Sequence, residues 1–214
     1  MSLTLASALA EMPLVAILRG VKPDEVEAIA EAIVAAGIRI LEVPLNSPDP
    51  LRSIGLLARG LAGRALVGAG TVLTVKDVAG VAEAGGTVIV SPNTDVEVIR
   101  ASKARGLLSL PGFFTPTEAF AALDAGADAL KLFPAEMASP AAVKAMRAVL
   151  PRSTKVLVVG GVSPQTIPPY LAVGVDGFGV GSDLYAAGRS AAEVGERAVA
   201  LTAAIRALNG ERTA

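Results

Sequence analysis

One repeated unit runs along the whole sequence: a short strand-like run, then a helical pattern, then a glycine. Each run is rich in Val, Ile and Leu on both faces, which is typical of strands covered by helices. Strands that alternate with helices in this way predict a parallel sheet. Eight such runs lie at residues 14–18, 39–43, 65–69, 87–91, 107–110, 129–133, 156–160 and 177–181.

Capping residues and prolines mark where helices start, and glycines mark where they end. The predicted starts lie at residues 23–25, 47–49, 115–118 and 163–165, and the predicted ends at 36–37, 84–85, 125–126 and 173–174. Eight units in 214 residues favour a (β/α)8 TIM barrel that forms a single domain over residues 1–214. The alternative is a doubly wound open sheet, which normally has about five or six strands.

Composition excludes several kinds of chemistry. The chain has no Cys and no His, so a thiol nucleophile, a disulfide, a Ser-His-Asp triad and a Cys/His zinc site are impossible. Acid–base chemistry therefore depends on Glu, Asp, Lys, Tyr or water. A net charge of −1 and an aromatic content of 3% give no basis for binding nucleic acid.

The N-terminal segment lacks the pattern of a secretory signal, because its first basic residue, Arg19, follows the apolar stretch instead of preceding it. Gly, Pro and charged residues interrupt every apolar run before it reaches the ~18 residues of a membrane-spanning helix. The sequence therefore predicts a cytoplasmic protein that has no membrane partner.

Three charged residues lie at the C-terminal ends of predicted strands, where TIM barrels carry their chemistry. They are Arg19, Glu42 and Lys131, whereas four other charged residues lie at strand starts, namely Arg39, Asp128, Lys155 and Asp176. Side chains alternate along a strand, so Glu42 and Lys131 are both predicted to point into the barrel. A buried ion pair and a lysine that reaches solvent are the structural alternatives. The catalytic alternative is that burial favours the neutral amine, which can attack a carbonyl while the carboxylate moves protons.

Two glycine-rich turns follow the last two predicted strands. They contain Gly160 and Gly161 in the first turn and Gly181 and Ser182 in the second. Barrels often bind phosphate at these two positions, because glycine lets backbone N–H groups approach an anion. The alternative is that the glycines serve only tight turns, and we favour phosphate because both turns lie where it is expected.

Four further residues at strand ends have both a binding and a structural interpretation. Arg19 suits a carboxylate or phosphate, but it also suits a surface charge or a partner for Glu42. The Thr71 hydroxyl can orient a carboxylate or cap the following helix, and the two interpretations are equally supported. Pro92 and Phe133 are more often turn and core residues than ligand contacts.

The motifs as a set resemble the KDPG/KHG aldolase family, with one motif at each strand and the whole chain covered in order. This family consists of class I (Schiff-base) aldolases on a (β/α)8 barrel, usually homotrimers, that need no metal or organic cofactor. The matching segments are ILRG (17–20), LEVPLNSP (41–48), GAGTVL (68–73), SPN (91–93), PG (111–112), ALKLFPA (129–135), VGGV (159–162) and GVGSDLY (179–185).

The resemblance implies a role for each matching residue. Lys131 would form the Schiff base and Glu42 would shuttle protons through a water molecule. Thr71 and an arginine would hold the carboxylate of pyruvate, and Pro92 and Phe133 would line the site. The phosphate would be held by Gly160, Gly161, Gly181 and Ser182.

Two departures point to the galactonate-type branch of the family. Gluconate-type members carry an arginine where this chain has Asn46 and a threonine where it has Val159. In the galactonate-type branch Arg19 would take the carboxylate. The expected reaction is cleavage of 2-dehydro-3-deoxy-6-phosphogalactonate to pyruvate and D-glyceraldehyde 3-phosphate.

Three alternatives to this reaction stay open at the level of sequence. The first is the same mechanism on the gluconate epimer or on both epimers, because a single hydroxyl is weakly discriminated unless polar groups are dedicated to it. The second is a phosphate-binding barrel isomerase or synthase that forms no covalent intermediate. The third is a sugar-phosphate binding protein without catalysis, because the fold alone does not determine the function.

Overall fold

The computed structural model describes residues 3–211, and in that range parallel strands alternate with helices as the sequence predicts. All eight predicted strand runs are confirmed, and one further two-residue strand is present. The strands are β1 (Leu14–Ile17), β2 (Ile40–Pro44), β3 (Leu66–Gly70), β4 (Val88–Val90), β5 (Leu108–Leu110), β6 (Gly112–Phe113), β7 (Leu130–Leu132), β8 (Val156–Val159) and β9 (Gly177–Val180).

Helices cover the outside of this sheet. They are α1 (Leu5–Glu11), α2 (Val26–Ala35), α3 (Pro50–Gly60), α4 (Val75–Glu83), α5 (Val96–Ala104), α6 (Pro116–Asp124), α7 (Pro140–Val149), α8 (Ile167–Ala172) and α9 (Ala191–Glu211), together with a 3₁₀ turn over Ala135–Met137. No helix in residues 3–211 combines the length and the apolar character needed to cross a membrane.

The strands form one nearly closed parallel barrel in the order β5-β4-β3-β2-β1-β9-β8-β7-β6. The two strands at the ends of this order, β5 and β6, are separated in the chain only by Pro111. Proline has no N–H, so regular pairing is interrupted there, although its carbonyl still accepts a hydrogen bond of 2.9 Å from the Lys131 N–H. The sheet therefore has nine strands where the sequence predicts eight.

Helix α6 begins where the sequence predicts, at the Thr115–Glu118 capping box. The other three predicted starts begin three to four residues before the helices, which start at Val26, Pro50 and Ile167. Before α2, the Glu25 carboxylate accepts from the Lys22 N–H, and before α8 the Thr166 hydroxyl accepts from the Ser163 N–H. These bonds form a turn that precedes each helix.

The barrel interior is closed at one end by α1, a helix that the sequence analysis does not predict. Leu5 and Leu9 of α1 pack with inward-facing strand residues such as Ile40 and Ala129. Leu9 also lies over Gly177, the first residue of β9, so α1 covers the N-terminal end of the strands. The C-terminal end is left for the cavity that contains the predicted site residues.

Candidate active site

Glu42 and Lys131 lie inside the barrel, as the alternation of side chains predicts. Glu42 is on β2 and Lys131 is on β7, and they are only 2% and 7% exposed. Both line a cavity of about 220 Å³ at the C-terminal end of the strands, and both also line the adjoining barrel interior. The two groups that carry the predicted chemistry therefore share one enclosed space.

The two buried charges are not held together as an ion pair. Among residues 3–211 no oxygen of Glu42 lies within 4.0 Å of the Lys131 Nζ, and the buried Oε2 of Glu42 has no hydrogen-bond partner. Unpartnered buried polar atoms are rare in folded proteins, because each costs free energy that a bonded atom does not. The buried ion pair, one of the structural alternatives for these residues, is therefore not formed.

Charges at the opposite end of the barrel are paired. Lys103 Nζ lies 2.6 Å from the Asp128 carboxylate, which lies near the start of β7. Asp176, just before β9, binds both Arg147 and Lys155. Charges at the N-terminal end of the strands are therefore neutralised by partners, whereas Glu42 and Lys131, at the C-terminal end, are not paired with each other.

Burial brings both side chains to ionisation near neutral pH. It raises the pKa of the Glu42 carboxyl from its usual 4.5 to about 7, and the positive charges of Lys131 and Arg19 offset part of that rise. Burial lowers the pKa of the Lys131 ammonium from its usual 10.5 to about 8, and the Glu42 charge opposes the drop. A lysine with such a pKa has a substantial neutral fraction, which is the nucleophilic form.

Two neighbouring residues lie directly against these groups. Gly70 ends β3 beside Glu42, and a side chain there would overlap the Glu42 carboxylate. The Nζ of Lys131 lies 4.6 Å from the centre of the Phe133 ring, a cation–π contact. Phe133 therefore stabilises positive charge on the lysine nitrogen in addition to lining the cavity.

Arg19 lies in the same cavity and is oriented by the loop after β2. Its Nη1 donates to the Asn46 Oδ1 at 2.6 Å, and the next N–H, of Gly20, donates to the Ser47 hydroxyl at 2.9 Å. Arg19 also contributes to the pKa values of Glu42 and Lys131 through its charge. The structure thus places it with the reactive pair and not as an isolated surface charge.

Thr71 follows β3 and lines the cavity in a strained backbone conformation. Its φ of +57° is uncommon for any residue with a side chain and especially for a β-branched one. Thr71 does not cap α4, because Thr74 does so with a capping box to Asp77. The helix-capping interpretation of Thr71 is therefore wrong, and its hydroxyl makes no hydrogen bond to another residue in the range 3–211.

The two glycine-rich turns close the far side of the cavity. Gly160 and Gly161 have φ values of +113° and +62°, which side chains rarely allow. Within residues 3–211, the N–H groups of Gly160, Gly161 and Ser182 donate to no other residue. Such free N–H groups are what an anion site requires. Pro92 and Gly181 complete the predicted set, and all ten predicted site residues line this one cavity.

One charged residue of the cavity, Glu136, is not among the predicted site residues. Glu136 lies in the 3₁₀ turn after β7, and its side chain reaches the Gly160–Gly161 turn. The only sequence signal is its place directly after the Lys131 motif. Tyr185, the last residue of the GVGSDLY segment, lies outside the cavity lining, and its hydroxyl donates to Glu25 at 2.9 Å.

Comparison with known proteins gives consistent matches over the whole fold. The family model "KDPG and KHG aldolase" matches residues 5–209. The probable 2-dehydro-3-deoxy-6-phosphogalactonate aldolase of Rhizobium meliloti (strain 1021) is 48% identical over 200 residues, 94% of each chain. The 2-dehydro-3-deoxy-6-phosphogalactonate aldolase of Escherichia coli (strain K12) is 44% identical over 196 residues, 92% of this chain and 96% of that one.

A solved structure described as "Native KDPGal structure" superposes on this chain with a TM-score of 0.92. It is 42% identical and covers 98% of this chain and 100% of its own. The similarity to these proteins therefore extends from the motifs to the complete arrangement of strands and helices.

Proposed function

Since the chain belongs to the KDPG and KHG aldolase family, we propose that its cavity cleaves 2-dehydro-3-deoxy-6-phosphogalactonate into pyruvate and D-glyceraldehyde 3-phosphate. It is a carbon–carbon lyase, and the family forms a Schiff base with its substrate. The observation that carries the mechanism is the presence, in one cavity, of a buried lysine and an unpaired buried carboxylate, each with a pKa near neutrality.

The reaction begins at Lys131. Its neutral amine attacks the C2 carbonyl of the keto acid, and loss of water gives a protonated imine. The positive nitrogen of the imine withdraws electrons from the C3–C4 bond, and the Phe133 ring beside Lys131 Nζ favours that positive charge. The lysine thus provides the electron sink that the bond cleavage needs.

Glu42 moves the protons. Its ionised carboxylate takes the proton of the C4 hydroxyl through a water molecule, the C3–C4 bond breaks, and its electrons form an enamine. D-Glyceraldehyde 3-phosphate leaves, C3 is protonated, and water hydrolyses the imine to release pyruvate and the free lysine. A group with a pKa of about 7 can both accept and return a proton at neutral pH.

The remaining predicted residues hold the two ends of the substrate. Arg19 and Thr71 bind the carboxylate, and Pro92 and Phe133 line the site between the ends. The free N–H groups of the two glycine-rich turns, with the Ser182 side chain, bind the phosphate. The anchoring residues of the phosphate turns are Gly160, Gly161, Gly181 and Ser182.

The architecture and assembly are part of the same proposal. We infer that β5 and β6 act as one strand interrupted at Pro111, so that residues 1–214 form a single (β/α)8 barrel. We also propose a homotrimer, in which exposed apolar side chains such as Phe114, Phe120 and Met137 are available for contacts between subunits. A solution mass corresponding to a monomer at micromolar concentration would contradict the trimer. The cytoplasmic location stays a prediction.

The experiment that tests the chemistry is trapping with pyruvate. The protein is incubated with pyruvate, reduced with borohydride, and digested so that the added mass is located by peptide mapping. We expect the adduct on Lys131. Active, folded protein without an adduct would contradict the Schiff base and favour a non-covalent isomerase. Comparing kcat/KM on the galactonate and gluconate epimers then tests the substrate, and a preference for the gluconate epimer would contradict the assignment.

Replacing Asn46 is expected to weaken substrate binding more than it slows the chemical step. Asn46→Ala removes the hydrogen bond that orients Arg19, so the KM for the sugar acid should rise roughly 3- to 10-fold with a smaller change in kcat. Asn46→Gln, which retains the amide oxygen, is the matched variant and should recover part of the loss. An unchanged KM in Asn46→Ala would show that Arg19 does not depend on this contact.

A further inference from the structure

Glu136 is a charged residue of the cavity to which the mechanism above gives no task. It lies in the 3₁₀ turn Ala135–Met137, between the end of β7 and the glycine turn after β8. A Cβ at position 160 would overlap the Glu136 Oε2, and a Cβ at position 161 would lie 2.9 Å from the Glu136 Cγ. Glycine is therefore favoured at both positions for two reasons. It leaves space for the Glu136 side chain, and it adopts the positive φ values found there.

The backbone around Glu136 is held in place while its carboxylate is not. The Tyr170 hydroxyl on α8 is within hydrogen-bond distance of the carbonyls of Ala135 and Ala138, at 3.2 and 3.3 Å. The Met137 N–H donates to the Pro134 carbonyl at 3.1 Å, which closes the turn. In residues 3–211, by contrast, the Glu136 carboxylate makes neither a hydrogen bond nor an ion pair with another residue. An unpartnered acceptor on an exposed side chain beside the Gly160–Gly161 turn is thus available to a ligand.

The substrate of the proposed function brings a hydrogen-bond donor to this point in the cavity. Two carboxylates line the cavity, Glu42 and Glu136. The substrate of the proposed function has hydroxyl groups on C4 and C5, and Glu42 is engaged with the C4 hydroxyl. C5 lies next to the carbon that bears the phosphate, and Glu136 lies next to the turn assigned to the phosphate. The N–H groups of that turn are donors and cannot accept a hydrogen bond from a hydroxyl.

We propose that Glu136 is a specificity-determining residue that accepts a hydrogen bond from the substrate hydroxyl adjacent to the phosphate-bearing carbon. This inference rests on the proposed function, because the orientation of the substrate follows from the Schiff base at Lys131 and the phosphate at Gly160 and Gly161. The consequence is selection for aldehydes that carry a hydroxyl at C2, the atom that becomes C5 of the sugar acid.

A competing effect of the same carboxylate has the opposite sign. A negative charge beside the phosphate turn repels a phosphate dianion. If repulsion were the main effect of Glu136, its removal would strengthen binding of every phosphorylated aldehyde equally. The hydrogen bond instead predicts a loss that is confined to substrates with the hydroxyl.

The experiment measures condensation of pyruvate with two aldehydes, D-glyceraldehyde 3-phosphate and its 2-deoxy analogue, 3-oxopropyl phosphate. The quantity compared is the ratio of kcat/KM values for the two aldehydes, and its change on mutation cancels their difference in intrinsic reactivity. In Glu136→Ala we expect this ratio to fall roughly 10- to 100-fold, the effect of losing a hydrogen bond to a charged acceptor. Glu136→Gln, whose amide oxygen still accepts, should fall less.

The control is Glu196→Ala, which removes an exposed carboxylate on α9 and should keep the wild-type ratio. An unchanged ratio in Glu136→Ala, or equal gains for both aldehydes, would overturn the proposal. Loss of pyruvate trapping in both Glu136 variants would also overturn it, because Glu136 would then serve the pyruvate half of the site. Failure of the wild-type protein itself to trap pyruvate would instead overturn the proposed function.

Discussion

Lys131→Ala is expected to abolish cleavage of the sugar acid and to eliminate the borohydride-trapped pyruvate adduct. Loss of a covalent nucleophile removes the imine and with it the electron sink for breaking the C3–C4 bond. We expect kcat to fall roughly 10⁴- to 10⁶-fold, as when the nucleophile of a concerted catalytic group is removed. The measurements are the rate of pyruvate release and the mass of the reduced adduct.

The controls for this variant separate chemistry from folding. Lys144→Ala changes an exposed lysine on α7 and should retain both cleavage and the adduct on Lys131. Circular dichroism of Lys131→Ala should match the wild type, because the substitution takes a buried charge out of the barrel and leaves the strands unchanged. Near-normal turnover by Lys131→Ala would refute the Schiff-base mechanism, whatever the similarity to known aldolases.

The position of the reactive pair could be predicted from the sequence because two simple regularities coincide. Strands covered on both faces appear as continuous apolar runs, so a Glu or Lys within one is conspicuous. Alternation along the strand then assigns its direction, and Glu42 and Lys131 indeed line the barrel interior. The position of the glycine-rich turn can be predicted in the same way, because Gly160 and Gly161 directly follow the apolar run of a strand.

Other features depend on contacts between distant segments, which no local pattern encodes. The break between β5 and β6 follows from Pro111, but only the register of the neighbouring strands decides whether such a proline ends a strand. Helix α1 has a local start signal, the Thr4–Ser7 capping box, but a helix of seven residues is marginal alone and is stabilised by packing against the barrel interior. Glu136 belongs to the site because the turn after β7 folds back over the turn after β8.

Several residues of the cavity destabilise the folded protein. Glu42 Oε2 is buried without a partner, Thr71 has a left-handed backbone, and the Lys131 charge is buried without a bonded carboxylate. Each of these is unfavourable for folding alone. Their concentration at one end of the barrel, with paired charges at the other, is what a catalytic site requires and a purely structural core avoids.

Glu42→Gln is expected to slow cleavage by ~10²- to 10⁴-fold, the usual effect of losing general acid–base catalysis. The amide keeps the size of the side chain but cannot take the proton of the C4 hydroxyl. The pyruvate adduct should still form, because the Lys131 amine remains. The Glu42 charge raises the pKa of Lys131, so its removal should lower that pKa further and move the acidic limb of the kcat/KM profile to lower pH.

The same substitution is expected to stabilise the fold at alkaline pH. In the folded protein the pKa of Glu42 is about 7, above its usual 4.5, so the folded state retains a proton that the unfolded state has lost between these values. Unfolding free energy therefore falls as pH rises from about 4.5 to 7, and the whole cost is present above pH 7. Glutamine does not ionise, so Glu42→Gln avoids this cost.

Denaturant unfolding at pH 4 and pH 8 measures this difference. We expect Glu42→Gln and the wild type to be equally stable at pH 4, and the variant to be more stable at pH 8 by up to about 3 kcal/mol. Glu196→Gln, on the exposed side of α9, should change stability at neither pH. A Glu42→Gln variant that is less stable than the wild type at pH 8 would identify the carboxylate as a structural group and contradict its catalytic role. Slower cleavage together with greater stability would instead show that ionised Glu42 destabilises the folded protein and is needed for the reaction.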